Sequence, residues 1–175
     1  FIPSQANMFS YIGNFSSLRN YIGSNCITAL CKTTDKSKLI VGTDNDGIYL
    51  LDKNYNFLQH LSQDENPDVP PTVMCLFEDS NKKVWIGSYL SGISLFDSQT
   101  NRLSKISLQN NEGNEIKKVY SFVEDPHKRL WIGTMGTGLY YADLPGSSDS
   151  YQHIKVHQVL SEKTINQWIN TLLYI

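Results

Sequence analysis

The chain has 175 residues, 40% of them hydrophobic and only 18% charged, with a formal net charge of −2. It is long enough to bury a core, too apolar for a disordered chain, and without the basic excess of a nucleic-acid binder. No apolar run approaches the roughly 20 residues of a membrane-spanning helix, so this segment is expected to make neither nucleic-acid nor membrane contact. The aromatic content of 11%, with ten Tyr and seven Phe, favours strands.

In chain order, the first stretch is a partial copy of something repeated later. Phe1-Ile2-Pro3-Ser4 lies over Trp85-Ile86-Gly87-Ser88, and Phe15 to Tyr21 reads as a closing strand. Residues 1–22 are therefore expected to form strands two to four of a partial blade. The chain opens on Phe rather than Met, which suggests a processed or excised piece.

The next unit, 23–66, has a first strand from Ile27 to Lys32, then Ile40-Val41-Gly42, a turn at Asp46-Gly47, a strand at Ile48 to Leu51 and a weaker one at Phe57 to Leu61. Asp-Gly is a tight-hairpin dipeptide, because glycine accepts the positive φ that such turns need. The unit 67–113 repeats the plan: Val73 to Glu78, Trp85-Ile86-Gly87, Ser91-Gly92, and a weaker strand at Leu103 to Leu108. The unit 114–163 repeats it again, with Val119 to Glu124, Trp131-Ile132-Gly133, Thr137-Gly138 and Leu139-Tyr140-Tyr141. At the end, 164–175, Trp168 to Leu172 falls on Lys118 to Phe122 and reads as the first strand of a following unit.

The register is close. Gly42, Gly87 and Gly133 are 45 (87 − 42) and 46 (133 − 87) residues apart. Each is followed five residues later by glycine, and ten later by aspartate: Asp52, Asp97 and Asp143. An aspartate also stands six residues before each tryptophan, at Asp79 and Asp125. Four short strands per repeat of about 46 residues is the mark of a β-propeller blade. The fold class is all-β, built of four-stranded antiparallel blades. A segment of a larger propeller is favoured, and the alternative is a four-bladed ring closed by the two ends.

The motif Val-Tyr-Ser-Phe-Val-Glu-Asp at 119–125, then Leu-Trp-Ile-Gly-Thr at 130–134, Gly138-Leu139 and Asp143, resembles the two-component regulator propeller repeat. The unit at 73–97 resembles it equally, and the one at 27–52 is degenerate, with Ile40 for the tryptophan. WD40 signatures are absent. The resemblance implies the periplasmic sensor region of a bacterial hybrid two-component system of the Bacteroidetes type. Its full-length parent would be a sensor histidine kinase, and oligosaccharides are common stimuli in that family.

Chemistry-bearing candidates are few. Trp85, Trp131, Gly42, Gly87 and Gly133 sit at fixed repeat positions and are read as structural. Asp52, Asp97 and Asp143 are expected to close Asx turns. Glu78-Asp79 and Glu124-Asp125 also recur in register and are read as turn elements. Asp44-Asn45-Asp46-Gly47 fails the spacing of a calcium loop. His153 and His157 share a strand face without a third metal ligand, and Asn14-Phe15-Ser16 is a sequon of no consequence in a bacterial protein. Cys26, Cys31 and Cys75 lack zinc spacing and read as small buried hydrophobes. No catalytic, metal or cofactor site is assigned.

The best ligand-binding candidates are loop positions that vary on the constant frame: Tyr89 first, with Asp44, Asn45 and Met135. The expected function is a non-catalytic, ligand-binding sensor module, with an oligosaccharide or other small ligand as partner. The alternatives are an interaction or dimerisation scaffold and, third, a propeller lyase or hydrolase. The exposed ends imply self-association or union with the remainder of a larger propeller.

Overall fold

A computed structural model describes residues 22–23, 25–146, 151, 154–160 and 168–174. The expected partial blade at 1–22, apart from Ile22, lies outside the described residues, as do the sequon and His153. So does closure of a ring through residues 1–12.

Among the described residues, twelve strands form three four-stranded antiparallel sheets. The first contains β1 (Ile27–Lys32), β2 (Lys38–Thr43), β3 (Ile48–Asp52) and β4 (Phe57–Leu61). The second contains β5 (Val73–Glu78), β6 (Lys83–Ser88), β7 (Ile93–Asp97) and β8 (Arg102–Ile106). The third contains β9 (Val119–Glu124), β10 (Arg129–Thr134), β11 (Leu139–Asp143) and β12 (Val156–Leu160). Strands follow one another in sequence order within each sheet, and no α-helix occurs among the described residues. The last strand of the second sheet is Arg102–Ile106 rather than Leu103 to Leu108. Leu108 is spent instead on the connection, where its carbonyl accepts the Ile116 N–H at 2.8 Å.

The hairpins between second and third strands close as the glycine pairs predict. Gly47, Gly92 and Gly138 have φ of 67°, 81° and 103°. Thr43, Ser88 and Thr134 Oγ each donate to the carbonyl of the glycine four residues on, at 2.9, 2.9 and 2.7 Å. That hydroxyl explains why a threonine or serine ends every second strand.

The sheets pack as blades, first strand beside first strand, with β5 against β1 and β9 against β5. Hydrophobic core lies between blades. One cluster joins Ile40, Ile48 and Leu50 of the first sheet to Val73, Val84 and Ile86 of the second. Another joins Trp85, Ile93 and Leu95 to Val119, Phe122 and Leu130. The Trp-Ile-Gly glycines mark the closest approach. A Cβ on Gly87 would fall 2.5 Å from Cys75 Sγ and 2.9 Å from Val119 Cγ1. One on Gly133 would fall 2.8 Å from Ile169 Cγ2 and 2.9 Å from the Ile169 carbonyl.

Ile169 thus takes against the third blade the place that Val119 takes against the second. Its N–H donates to the Thr134 carbonyl at 3.1 Å, and Trp168 bridges Met135. Residues 168 and 169 thus dock along the end of β10, through one bridge and one backbone hydrogen bond. The described sheets do not close a ring. Leu30, whose counterparts Leu76 and Phe122 pack into blade interfaces, is 62% exposed on the first blade.

Candidate functional site

Each blade carries an anchored turn on one face. In the second blade, Asp79 Oδ1 accepts the N–H groups of Asn81 and Lys83, both at 2.9 Å. Its Oδ2 accepts the Trp85 indole N–H at 2.9 Å and the Tyr151 hydroxyl at 2.7 Å. In the third blade Asp125 Oδ2 takes the Trp131 indole at 2.8 Å and the Arg129 Nε at 2.7 Å. Burial opposes the Asp125 charge, but these donors and two turn amides outweigh it and hold its carboxyl down at about 2. The aspartate six residues before tryptophan is therefore a turn closer and also the indole's acceptor. The first blade has Ile40 instead of tryptophan, and there Thr33 suffices: its Oγ accepts the Lys38 N–H at 3.0 Å.

The tryptophans differ. Trp85 is fully buried, packed against Phe122 of the next blade and against Tyr151, which reaches back from beyond β11. Trp131, at the same repeat position, is only partly buried. It packs at a tilt against Tyr141, with Arg129 over its ring. The described chain supplies residues 168–174 alone on that side, where Trp85 has a whole blade. The cysteines are also less buried than expected: Cys26 is exposed, and Cys31 and Cys75 are partly so. Burial pushes the Cys31 thiol up to about 11 and raises that of Cys75 as well, so neither is a nucleophile at neutral pH.

Asp52 and Asp97 close Asx turns. Asp52 accepts the N–H groups of Asn54 and Asn56, and Asp97 those of Gln99 and Thr100. Asp97 also pairs with Lys83 at 2.7 Å. Asp143 faces His157 at 3.6 Å, and His157 stacks on Tyr141. No group of three or more potential metal ligands occurs among the described residues.

The opposite face carries the loop candidates. Asp44, Tyr89 and Met135 occupy one equivalent position on three successive blades, just after the second strand. Their N–H groups donate to the carbonyls of Cys26, Thr72 and Lys118 respectively. Thr72 joins two of them: its hydroxyl donates to Asp44 Oδ1 at 3.2 Å while its carbonyl takes the Tyr89 N–H. Asp44 and Asn45 are exposed, Tyr89 is 39% exposed, and Met135 is partly buried. Asn45 has φ of 65° and serves the turn.

The structure adds Tyr120 and Trp168 to this face. The β9–β10 register shifts between Gly133 and Thr134, leaving Tyr120 as the unpaired bulge residue between Val119 and Ser121. Burial, and then the neighbouring Tyr89, raise the Tyr120 phenol. Trp168 lies across the bridge from Met135 and is 68% exposed. The sequence held a signal for Trp168, which aligns with Lys118, but none for Tyr120 beyond its type.

Comparison with known proteins fits this geometry. The family described as two component regulator propeller matches residues 69–90 and 116–136. No curated protein matches the chain. Among solved structures, the chain is similar to the extracellular domain of a protein assigned to a hybrid two component system of B. thetaiotaomicron. That likeness has 23% identity and a TM-score of 0.63, over 78% of this chain and 17% of that one. A second such domain from the same organism has 19% identity and a TM-score of 0.56, over 68% and 16%. The chain thus spans about a sixth of these domains. The computationally designed Ika4 protein has 14% identity and a TM-score of 0.61, over 96% of this chain and 88% of that one. Two matches to the two component regulator propeller repeat, at 69–90 and 116–136, lie on successive four-stranded blades, so this chain is a β-propeller segment that carries that repeat.

Proposed function

We propose that the chain is a non-catalytic part of the extracytoplasmic, periplasmic sensor region of a two-component receptor, whose full-length parent is a sensor histidine kinase. Its loop face binds an oligosaccharide or other small ligand. The observation that carries this reading is the placement of Asp44, Tyr89 and Met135. One repeat-equivalent position on each blade has been given a different side chain, all on one face, while the opposite turns of the second and third blades keep the same aspartate–tryptophan pair. The blade boundaries at 23–66, 67–113, 114–163 and 164–175 belong to the same proposal.

A second reading, an association scaffold, is favoured by the exposed Leu30 and Leu173. These sit where neighbouring blades of a larger propeller, or of another copy, would cover them. Titrating a panel of oligosaccharides by calorimetry against the protein and its Tyr89→Ala and Asp44→Ala variants separates the two. Ligand binding lost in both variants supports the sensor reading. Absence of binding across the panel, with sedimentation showing concentration-dependent self-association, overturns it in favour of the scaffold.

A further inference from the structure

The loop face has a charge that the frame does not require. Its loops at 44–47, 62–72 and 107–118 carry seven carboxylates against two lysines, Lys117 and Lys118. The turns of the opposite face, at 33–37, 53–56, 79–82 and 125–128, carry three aspartates against four lysines. The chain as a whole is only −2, so the negative field is concentrated at one end of the blades. Two of the carboxylates lie beside the aromatic candidates. Asp44 is joined to Tyr89 through Thr72, and Glu115 reaches Gly92, in the same hairpin as Tyr89 and Leu90. Lys117 and Lys105 are both engaged by Glu115 at 3.3 Å.

Within that field lies an apolar and aromatic surface. Leu90 is 59% exposed beside Tyr89. Tyr120 follows Val119, which meets Gly87 across the interface between the second and third blades, two residues from Tyr89. Met135 then leads to Trp168. The order Asp44, Tyr89, Tyr120, Met135, Trp168 runs from the first blade to the segment bridged to the third at Met135. Aromatic faces attract cations through their quadrupole and also stack on apolar sugar faces. Carboxylates around them add attraction for a cation, whereas an acidic ligand would be repelled.

We infer that this surface binds an oligosaccharide bearing free amino groups, with Tyr89, Tyr120 and Trp168 as stacking faces and the loop carboxylates drawing in the ammonium groups. This rests on the sensor reading above and narrows it to cationic glycans.

The test uses four probes: a glucosamine hexasaccharide, its fully N-acetylated counterpart, a galacturonate hexasaccharide and hexalysine. Binding is read by calorimetry at about pH 6, where amines are protonated, at about 50 and about 300 mM salt. The glucosamine hexamer is expected to bind at least about tenfold tighter than the N-acetylated one, and to weaken several-fold with salt. Tyr120→Ala and Trp168→Ala should each lose about tenfold, with unchanged thermal melts showing intact folding. Lys118→Ala, which removes the one lysine of that face not engaged with Glu115, should tighten binding. Equal or tighter binding of the N-acetylated or galacturonate hexamer through Tyr89 overturns this inference and leaves the sensor reading standing. Hexalysine binding as tightly as the sugar overturns it in favour of a basic peptide. Binding of none of the four overturns the inference, and the wider oligosaccharide panel then decides the sensor reading separately.

Discussion

Removing the Asp79 carboxylate tests how the blades are held together. Asp79 is 1% exposed, and its Oδ2 is the acceptor for two buried donors, Trp85 of the same blade and Tyr151 from 72 residues away. In Asp79→Ala both lose that partner, while the Asn81 and Lys83 amides of the turn can turn to water. A buried donor left unmade costs about 1–3 kcal/mol, so two put the loss at about 2–6 kcal/mol. That is a large fraction of the 5–15 kcal/mol, in round terms about 10, that holds a typical domain. Urea denaturation followed by tryptophan fluorescence should show the midpoint falling by on the order of 1–2 M with little change in slope. Asp79→Asn keeps an acceptor oxygen and should lose less. Trp85→Phe removes the indole donor, so the double variant should reveal a coupling of about 0.5–3 kcal/mol with Asp79→Ala. A loss below about 1 kcal/mol, or no coupling to Trp85, would refute the claim that this carboxylate fastens the blade interface.

Three further outcomes follow from the same geometry. Gly87→Ala should destabilise by about 1–3 kcal/mol in a denaturant melt; combining it with Cys75→Ala should recover only part, because Val119 still stands 2.9 Å from the new Cβ. Trp85→Ala should cost about 3–5 kcal/mol as a buried aromatic, and Trp131→Ala clearly less, since Trp131 is partly exposed; equal losses would contradict the difference in burial. Stability should also fall in acid. The folded Asp97 and Asp125 carboxyls lie at about 2, below the roughly 3.9 of an unfolded aspartate. Their contribution is therefore complete above about pH 4 and is lost as pH falls toward 2. Asp125→Asn should flatten this part of an acid titration followed by circular dichroism; an unchanged profile would argue against the hydrogen-bonded carboxylate.

What the sequence determined by itself was everything local and periodic. Strand positions followed from runs of β-branched and aromatic residues, the hairpins from Asp46-Gly47, Ser91-Gly92 and Thr137-Gly138, and the blade from the spacing of Gly42, Gly87 and Gly133. The contact of Ile169 with Gly133 likewise follows the register in which Val119 meets Gly87. Those features depend on backbone conformation and strand alternation, which neighbouring residues dictate. Tertiary structure decided whatever depends on which blade stands beside which. Tyr151 meets Asp79 across 72 residues, so the second buried donor of this aspartate could not be read from its own repeat. Trp85 and Trp131 have the same sequence context, yet only Trp85 has a complete blade to cover it. Tyr120 became part of the loop face through a one-residue bulge, and Leu30 became exposed where its counterparts are packed. A side chain's burial is set by the surface that faces it, and in a propeller that surface belongs to another repeat.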